Sequence, residues 1–478
     1  MNVRRSISIN FVAKYVEHGL ALFSGIVLAR LLTPEDFGIY SIAASVVLLG
    51  YLFRNFGVGQ YIVQAANVTD EMLRAAFAVT LFVSWTIGLL LVAIAPALGR
   101  FYAEDGVSLV LYFLSFNFFL LPFGAVTNAL LRREMRFEKI AVIDISAAVT
   151  AMVVGLTAAF MGASYLSIAW ASNASTVVSI MVTLLFRPAG TPWLPGVKGF
   201  RNVLSFGVKV GAMDLSNSGT DSATELVIGK AHGLHDLGIY SRAYGTFRLF
   251  EFAFVQTIRP VVLPFLSRAK HDNEDLGDIY LKILTLTSIF AIPFFAYMGV
   301  NAAEVIALLY GDQWGAATPV LQVMCVAGAL FAPTLFFEQM LIANGRPGQA
   351  MRFVVLSQCL RLGALAVLAW VSLEAAALAL IVGFLARVAF VVSLARQFFG
   401  LDIGGFTRAV LPAVMVAGLL VLSTVATRSL VVPGAGSFVL LLVTGVIALV
   451  LWLLFVFVTA HPVSFEIRRL LDKALKKS

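Results

Sequence analysis

Nine basic residues lie within segments that are otherwise almost wholly apolar: Lys14, Arg54, Lys209, Arg242, Arg248, Arg259, Lys282, Arg361 and Arg387. Acids accompany them at similar depth, namely Glu17, Asp144, Asp214, Asp221, Glu225, Glu251 and Glu338. Ammonium and guanidinium groups held away from water can replace the hydration of an anion such as a phosphate. Carboxylates and an imidazole can carry protons. Lys14, Glu17 and His18 fall within about one helical turn, and Arg248 and Glu251 stand at i, i+3. The stretch DLSNSGTDSATE (214–225) sets Asp214, Asn217, Asp221 and Glu225 at helical spacing, while Asn55, Asn217 and Ser218 supply amide and hydroxyl partners for a polar cargo. Two candidate sets follow. Lys14, Arg54, Asn55, Lys209, Asn217, Arg248, Arg361 and Arg387 would bind an anion, and Glu17, His18, Asp214, Asp221 and Glu251 would couple or gate. The bland alternative for any one of them is a helix-packing ion pair or, for His18, a packing hydrogen bond.

The segments that hold these charges read as membrane spans. Hydrophobic residues make up 60% of the 478, charged residues only 13%, and the mean hydropathy is +0.93. A single soluble core cannot hide such a chain. Only helices or a closed barrel satisfy backbone polar groups in lipid. Runs such as GSFVLLLVTGVIALVLWLLFVFV (436–458) are continuous rather than alternating, which excludes barrel strands. The expected fold class is therefore an all-α polytopic membrane protein of about 14 transmembrane helices. The spans fall near 8–30, 38–62, 74–98, 108–131, 140–161, 164–186, 202–228, 238–263, 277–300, 317–342, 351–371, 375–395, 409–427 and 435–460. The N-terminal stretch is broken by Lys14, Glu17 and His18, so it reads as a retained first span rather than a cleavable leader. Placing both termini in the cytoplasm puts about 21 of the 34 lysines and arginines on that side and about four outside. The net charge of +8 is then a topology signal rather than a sign of nucleic-acid binding.

Each charge at a span centre costs about 2.5–3.5 kcal/mol on insertion scales. Nine at that cost would exceed the stability of an ordinary domain. Some must therefore snorkel from span ends (Arg242, Arg259 and Lys282), some must pair, and some must face water. The histidines lack metal-ligand spacing, and Cys325 and Cys359 are isolated thiols inside apolar helices. No metal and no cofactor is expected. No loop is long enough to house a soluble catalytic domain.

The chain also repeats itself. EDFGIYS (35–41) returns as HDLGIYS (235–241), and IVLAR (26–30) aligns with LVIGK (226–230), all at an offset of 200. Six spans precede the second copy, so it enters the bilayer in the same direction. The expected organisation is two parallel six-helix lobes, 1–195 and 196–400, followed by two peripheral helices and a basic tail, 401–478. Parallel repeats of this kind place a substrate site between halves that rock. The same offset sets Lys14 opposite Asp214, and the expectation is that the two approach across a central wet cavity.

ARLLTPEDFGIYSIA (29–43), LRREMRFEKIAVIDI (131–145), VIGKAHGLHDLGIYSRAYG (227–245), VVLPFLSRA (261–269) and LLYGDQW (308–314) together resemble the polysaccharide-exporter branch of the MOP superfamily, the Wzx-type oligosaccharide flippases. The resemblance implies twelve core and two peripheral helices in a bacterial inner membrane. It also implies an undecaprenyl-diphosphate-linked oligosaccharide as cargo, and a transporter rather than an enzyme. Membrane lipids, and polysaccharide polymerase or export machinery, are the implied partners. Trp314 and Tyr310 of LYGDQW are expected in an interfacial aromatic belt. Rival readings are a multidrug or cation antiporter of the same fold and a membrane-embedded glycan polymerase or acyltransferase.

Overall fold

A computed structural model describes residues 3–54, 58–65, 67–188, 191–192, 194–430, 436–465 and 468–469, without the side chains of 3–8, 10–11, 202, 204–218, 257 and 260–261. Among the described residues there are helices and turns but no strand. The chain divides into two compact units, Met1–Ser241 and Arg242–Ser478.

The first unit holds α1 (Val3–Leu31), α2 (Pro34–Arg54), α3 (Val58–Gln64), α4 (Asp70–Tyr102), α5 (Asp105–Leu120), α6 (Pro122–Arg133), α7 (Phe137–Phe160), α8 (Leu166–Leu185) and most of α9 (Phe200–Phe247). Local chemistry sets the boundaries. α4 starts where the Thr69 hydroxyl accepts from Met72 N at 3.3 Å, with Asp70 and Glu71 against the positive end of the helix. α5 and α6 meet at a 54° bend because Pro122 has no N–H to continue the ladder. Within this unit α7 packs on α1 and α8, and α4 on α5. Near its middle α9 breaks at Gly233, whose φ of 85° and ψ of 176° suit a residue without a Cβ.

The second unit begins with the end of α9, a π turn (Glu251–Val255) and α10 (Gln256–His271). It continues through α11 (Leu276–Val300), α12 (Ala302–Tyr310), α13 (Ala317–Phe331), α14 (Phe337–Ala343), α15 (Pro347–Leu368), α16 (Leu373–Phe399), α17 (Ile403–Leu430) and α18 (Ser437–Val458). α13 and α14 are one span interrupted at Pro333, whose carbonyl accepts from the buried Tyr280 hydroxyl at 2.6 Å. The freed backbone group is thereby satisfied without water. α16 is capped by Ser372 at its start and by Gly400, at φ 65°, at its end.

Eleven segments are long and apolar enough to cross a membrane, or twelve if the bent α5–α6 pair counts as one span. They correspond to twelve of the fourteen expected spans, so the count of about fourteen is not reached among the described residues. The other two, 202–228 and 238–263, fall on α9, the π turn and α10, where polar residues crowd the helix. α18 has only 17% of its most apolar window buried, an inside-out pattern that fits a lipid-facing helix. It is keyed to its own unit by Trp452 Nε1 donating to Ile289 O at 2.9 Å and by the Tyr297 hydroxyl 3.1 Å from that of Thr444.

One expectation fails plainly. Trp314 is fully buried and Tyr310 is 4% exposed, so neither sits in an interfacial belt. Gly311, at φ 94°, turns the chain so that the Trp314 ring packs edge-on against Tyr310, whose hydroxyl lies 3.0 Å from that of Thr246.

Candidate functional site

Lys14 projects from the exposed face of α1, and its ammonium donates to Glu17 at 2.6 Å and to Asp144 of α7 at 2.9 Å. One cation thus serves two carboxylates, and the fully ionised trio carries a net charge of −1. The expected approach of Lys14 to Asp214 falls outside the described residues, as do the side chains of Lys209 and Asn217 and the whole of Asn55. His18 is exposed on α1, one turn beyond Lys14. Asp221 is half-buried on α9.

Arg54 ends α2, with its guanidinium 6.0 Å from the Tyr51 ring centre. Its buried Nε has no hydrogen-bond partner among the described residues. Tyr51 stacks in turn on Phe118 at 4.7 Å, which fixes the base of the arginine.

In the second unit Arg248 donates through Nε to Glu251 at 3.2 Å, the pair predicted from their spacing. The guanidinium also lies 4.9 Å from the Phe252 ring centre. Glu251 opens the π turn, an irregularity of the helical ladder that recurs at functional sites and that no residue pattern announces.

Arg361 and Arg387 meet on the seam of α15 and α16. Arg361 is 7% exposed, and a methyl group on Gly383 would stand 3.0 Å from its Cβ, so the glycine lets the arginine stem lie against α16. One turn along each helix the relation is exchanged, with Arg387 Nε donating to Ser357 at 3.2 Å and its guanidinium over Phe353 at 5.5 Å. Two cations therefore share one interhelical seam. Of the three basic residues expected to snorkel, Arg259 instead reaches Glu338 at 3.7 Å and Arg242 lies over the Tyr310 ring at 6.0 Å.

The repeated phrase has its own geometry. Gly38 of α2 backs onto the Leu234 carbonyl of α9, and Gly238 of α9 backs onto the Pro34 carbonyl of α2, so closely that a Cβ on either would overlap the opposing oxygen. The Ser41 and Ser241 hydroxyls face each other at 3.1 Å. Each copy is thus the other's partner, as in a two-fold interface where one patch meets itself. Ser45 also donates to the Glu225 carboxylate, which sequence reasoning listed as an acid at depth without a partner. The signal that could have found this seam was the repeat itself: glycine and serine recur where two backbones meet.

Among the described residues no group of three or more His, Cys, Asp or Glu is arranged to hold a metal ion. Multi-pass membrane helices carrying buried cations and a self-complementary repeat are the features against which similarity to known proteins can be judged. The chain is 24% identical over 350 residues to the lipopolysaccharide biosynthesis protein WzxC of Escherichia coli (strain K12), covering 72% of this chain and 70% of that one. It is 25% identical over 341 residues to the succinoglycan biosynthesis transport protein ExoT of Rhizobium meliloti (strain 1021), covering 70% and 68%. The fold matches that of the lipid II flippase MurJ in an inward closed conformation, with a TM-score of 0.76 at 12% identity over 94% of this chain and 98% of that one. It also matches an inward-facing multidrug resistance MATE family transporter of the MOP superfamily, with a TM-score of 0.60 at 14% identity over 84% and 98%. The family model described as polysaccharide biosynthesis protein matches residues 27–319, and on that match the chain belongs to this family.

Proposed function

We infer that the protein is a flippase that moves an undecaprenyl-diphosphate-linked oligosaccharide across a bacterial inner membrane by alternating access, for surface or secreted polysaccharide. Both termini are cytoplasmic in this reading, by the excess of basic residues on that side. The two six-helix repeats, 1–195 and 196–400, are the elements that rock, and 401–478 is peripheral.

The observation that carries the reading is the set of guanidinium groups on apolar helices, with Arg361 and Arg387 on one seam and Arg54 with an unpartnered buried nitrogen. A diphosphate brings about two negative charges, and arginine forks match its oxygens. Arg54, Arg248, Arg361, Arg387, Lys14 and Lys209 form the anion path, with Asn55 and Asn217 toward the glycan. The polyprenyl chain stays in lipid. Glu17, His18, Asp214, Asp221 and Glu251 are the coupling and gating groups, the Lys14–Glu17–Asp144 trio being the best defined of them. A polysaccharide polymerase or export complex consumes the flipped product.

The test is deletion of the gene. The expected result is lipid-linked oligosaccharide stranded on the cytoplasmic face, with export restored by the wild-type chain and not by a double Arg361→Gln, Arg387→Gln variant. Cationic-dye efflux with no glycan phenotype would favour the multidrug exporter instead. Polymer-length defects with normal flipping would favour a polymerase.

A further inference from the structure

α9 turns back at Gly233, and both of its arms pack against the first three turns of α2 and the end of α4. From its first arm, Glu225 accepts from Ser45, Leu226 O accepts from Tyr102 at 2.9 Å, and Lys230 Nζ donates to Phe101 O at 2.8 Å. From its second arm, Gly238 meets Pro34 O and Ser241 meets Ser41. The seam is dry: Ile39, Ile42, Leu237, Ile239 and Tyr240 are each 5% exposed or less.

We propose that this α2–α9 seam is the external gate of the transport cycle, shut in this structure and held by the Gly38/Gly238 crossing with Ser45–Glu225 as its polar latch. The proposal rests on the flippase reading for its direction, because the positive-inside rule places residues 34–45 and 225–241 at the outer surface. Three properties suit the seam to repeated opening. Between helices in lipid there is no hydrophobic drive to stay together, and contacts of small residues and hydroxyls hold them by close packing and modest hydrogen bonds. The polar pairs, Ser41 with Ser241 and Ser45 with Glu225, can exchange each other for water once the helices part. Gly233 supplies a break at which the outer arm of α9 can swing without unwinding the inner one, and nothing lies within 4 Å of its missing Cβ.

Groups that could compete for Glu225 are few. On α9 itself they are Asp221, one turn earlier, and Lys230, which is committed to the α4 terminus. α4 brings the Tyr102 phenol, which is engaged with Leu226 O, and α2 brings no charged residue between Asp36 and Arg54. The latch is thus one hydroxyl and one carboxylate, and it is particular to one copy of the repeat, since Gly25 and Gly245 stand at the positions equivalent to Glu225 and Ser45. Closing can therefore be biased from one side of an otherwise self-complementary contact.

Two perturbations of opposite sense test the gate in the full-length chain, in a background lacking Cys325 and Cys359. A Ser41→Cys, Ser241→Cys pair should form a disulfide under mild oxidant, since the native hydroxyls are 3.1 Å apart. Export should then fall to the level of the deletion strain and return on reduction of the same protein, which controls for folding. Gly38→Ala forces backbones apart rather than side chains. Labelling of a lone Ser241→Cys by a membrane-impermeant maleimide from outside should rise about tenfold with it, as expected for a shifted two-state equilibrium. A cross-linked pair that exports as fast as its reduced form overturns the proposal. So does labelling indifferent to Gly38→Ala. Failure of the flippase reading looks different: the deletion strain would strand no lipid-linked glycan at all.

Discussion

Lys14 faces Glu17 and Asp144 with between a quarter and a half of each side chain accessible, so solvent screens the trio and its contribution to stability is small. Lys14→Ala should therefore shift thermal unfolding in detergent by only a few degrees, about 1 kcal/mol or less. Glycan export should fall about tenfold if the trio couples transport, with Lys14→Arg retaining most of it. A large loss of stability with unchanged export would make the trio structural. His461, beyond the last span, is 5% exposed and takes the Val463 N–H on Nδ1 at 3.3 Å. Burial lowers its pKa below the ordinary value of 6.5. The neutral ring is thus favoured when the turn is docked: its stability is present above pH 6.5 and lost as pH falls through the lowered value. Hydrogen exchange in residues 461–465 should quicken on acidification, and His461→Gln should remove that dependence. At this scale the sequence showed which charges were out of place, and the i, i+3 spacing gave Arg248–Glu251 outright. It did not show Asp144 as the partner of Lys14, because a contact 130 residues apart leaves no local pattern.

Helices were legible wherever a run of apolar residues was uninterrupted, since lipid leaves the backbone no other solution. The interruptions were legible only as residues. Pro122 and Pro333 were visible in the chain, but a 54° bend at one and a broken span at the other depend on what meets the freed carbonyls, such as the Tyr280 hydroxyl. Glycines behave the same way. Gly328 of α13 faces the Phe295 ring of α11, and an added Cβ would lie 2.5 Å from it. Gly328→Val should cost about 1–3 kcal/mol through overpacking. It should lower the unfolding temperature in detergent while leaving cargo binding per folded molecule unchanged. The α15–α16 seam makes the opposite prediction. Gly383→Leu presses on the Arg361 stem and should reduce export more than stability, whereas equal loss of both would remove that seam from the anion path.

For the whole molecule, composition alone excluded a soluble fold, and the repeat foretold like-facing halves. Two expected spans did not pass as apolar helices, because 202–263 carries the polar residues that the transport reading needs, a conflict between insertion and function that hydropathy scores as absence. The LYGDQW aromatics were misplaced for the converse reason: an aromatic pair at a helix end suits the interface by type, yet Gly311 folds it inward. The central claim is that guanidinium groups on these helices carry an anionic lipid-linked glycan through the bilayer. Purified wild-type chain reconstituted into vesicles with a polyprenyl-diphosphate oligosaccharide tests it most directly. The account predicts that the inner-leaflet glycan becomes accessible to an external, impermeant lectin with the wild-type chain and stays protected with the Arg361→Gln, Arg387→Gln double variant. Equal accessibility in the two preparations, or none beyond protein-free vesicles, would contradict it.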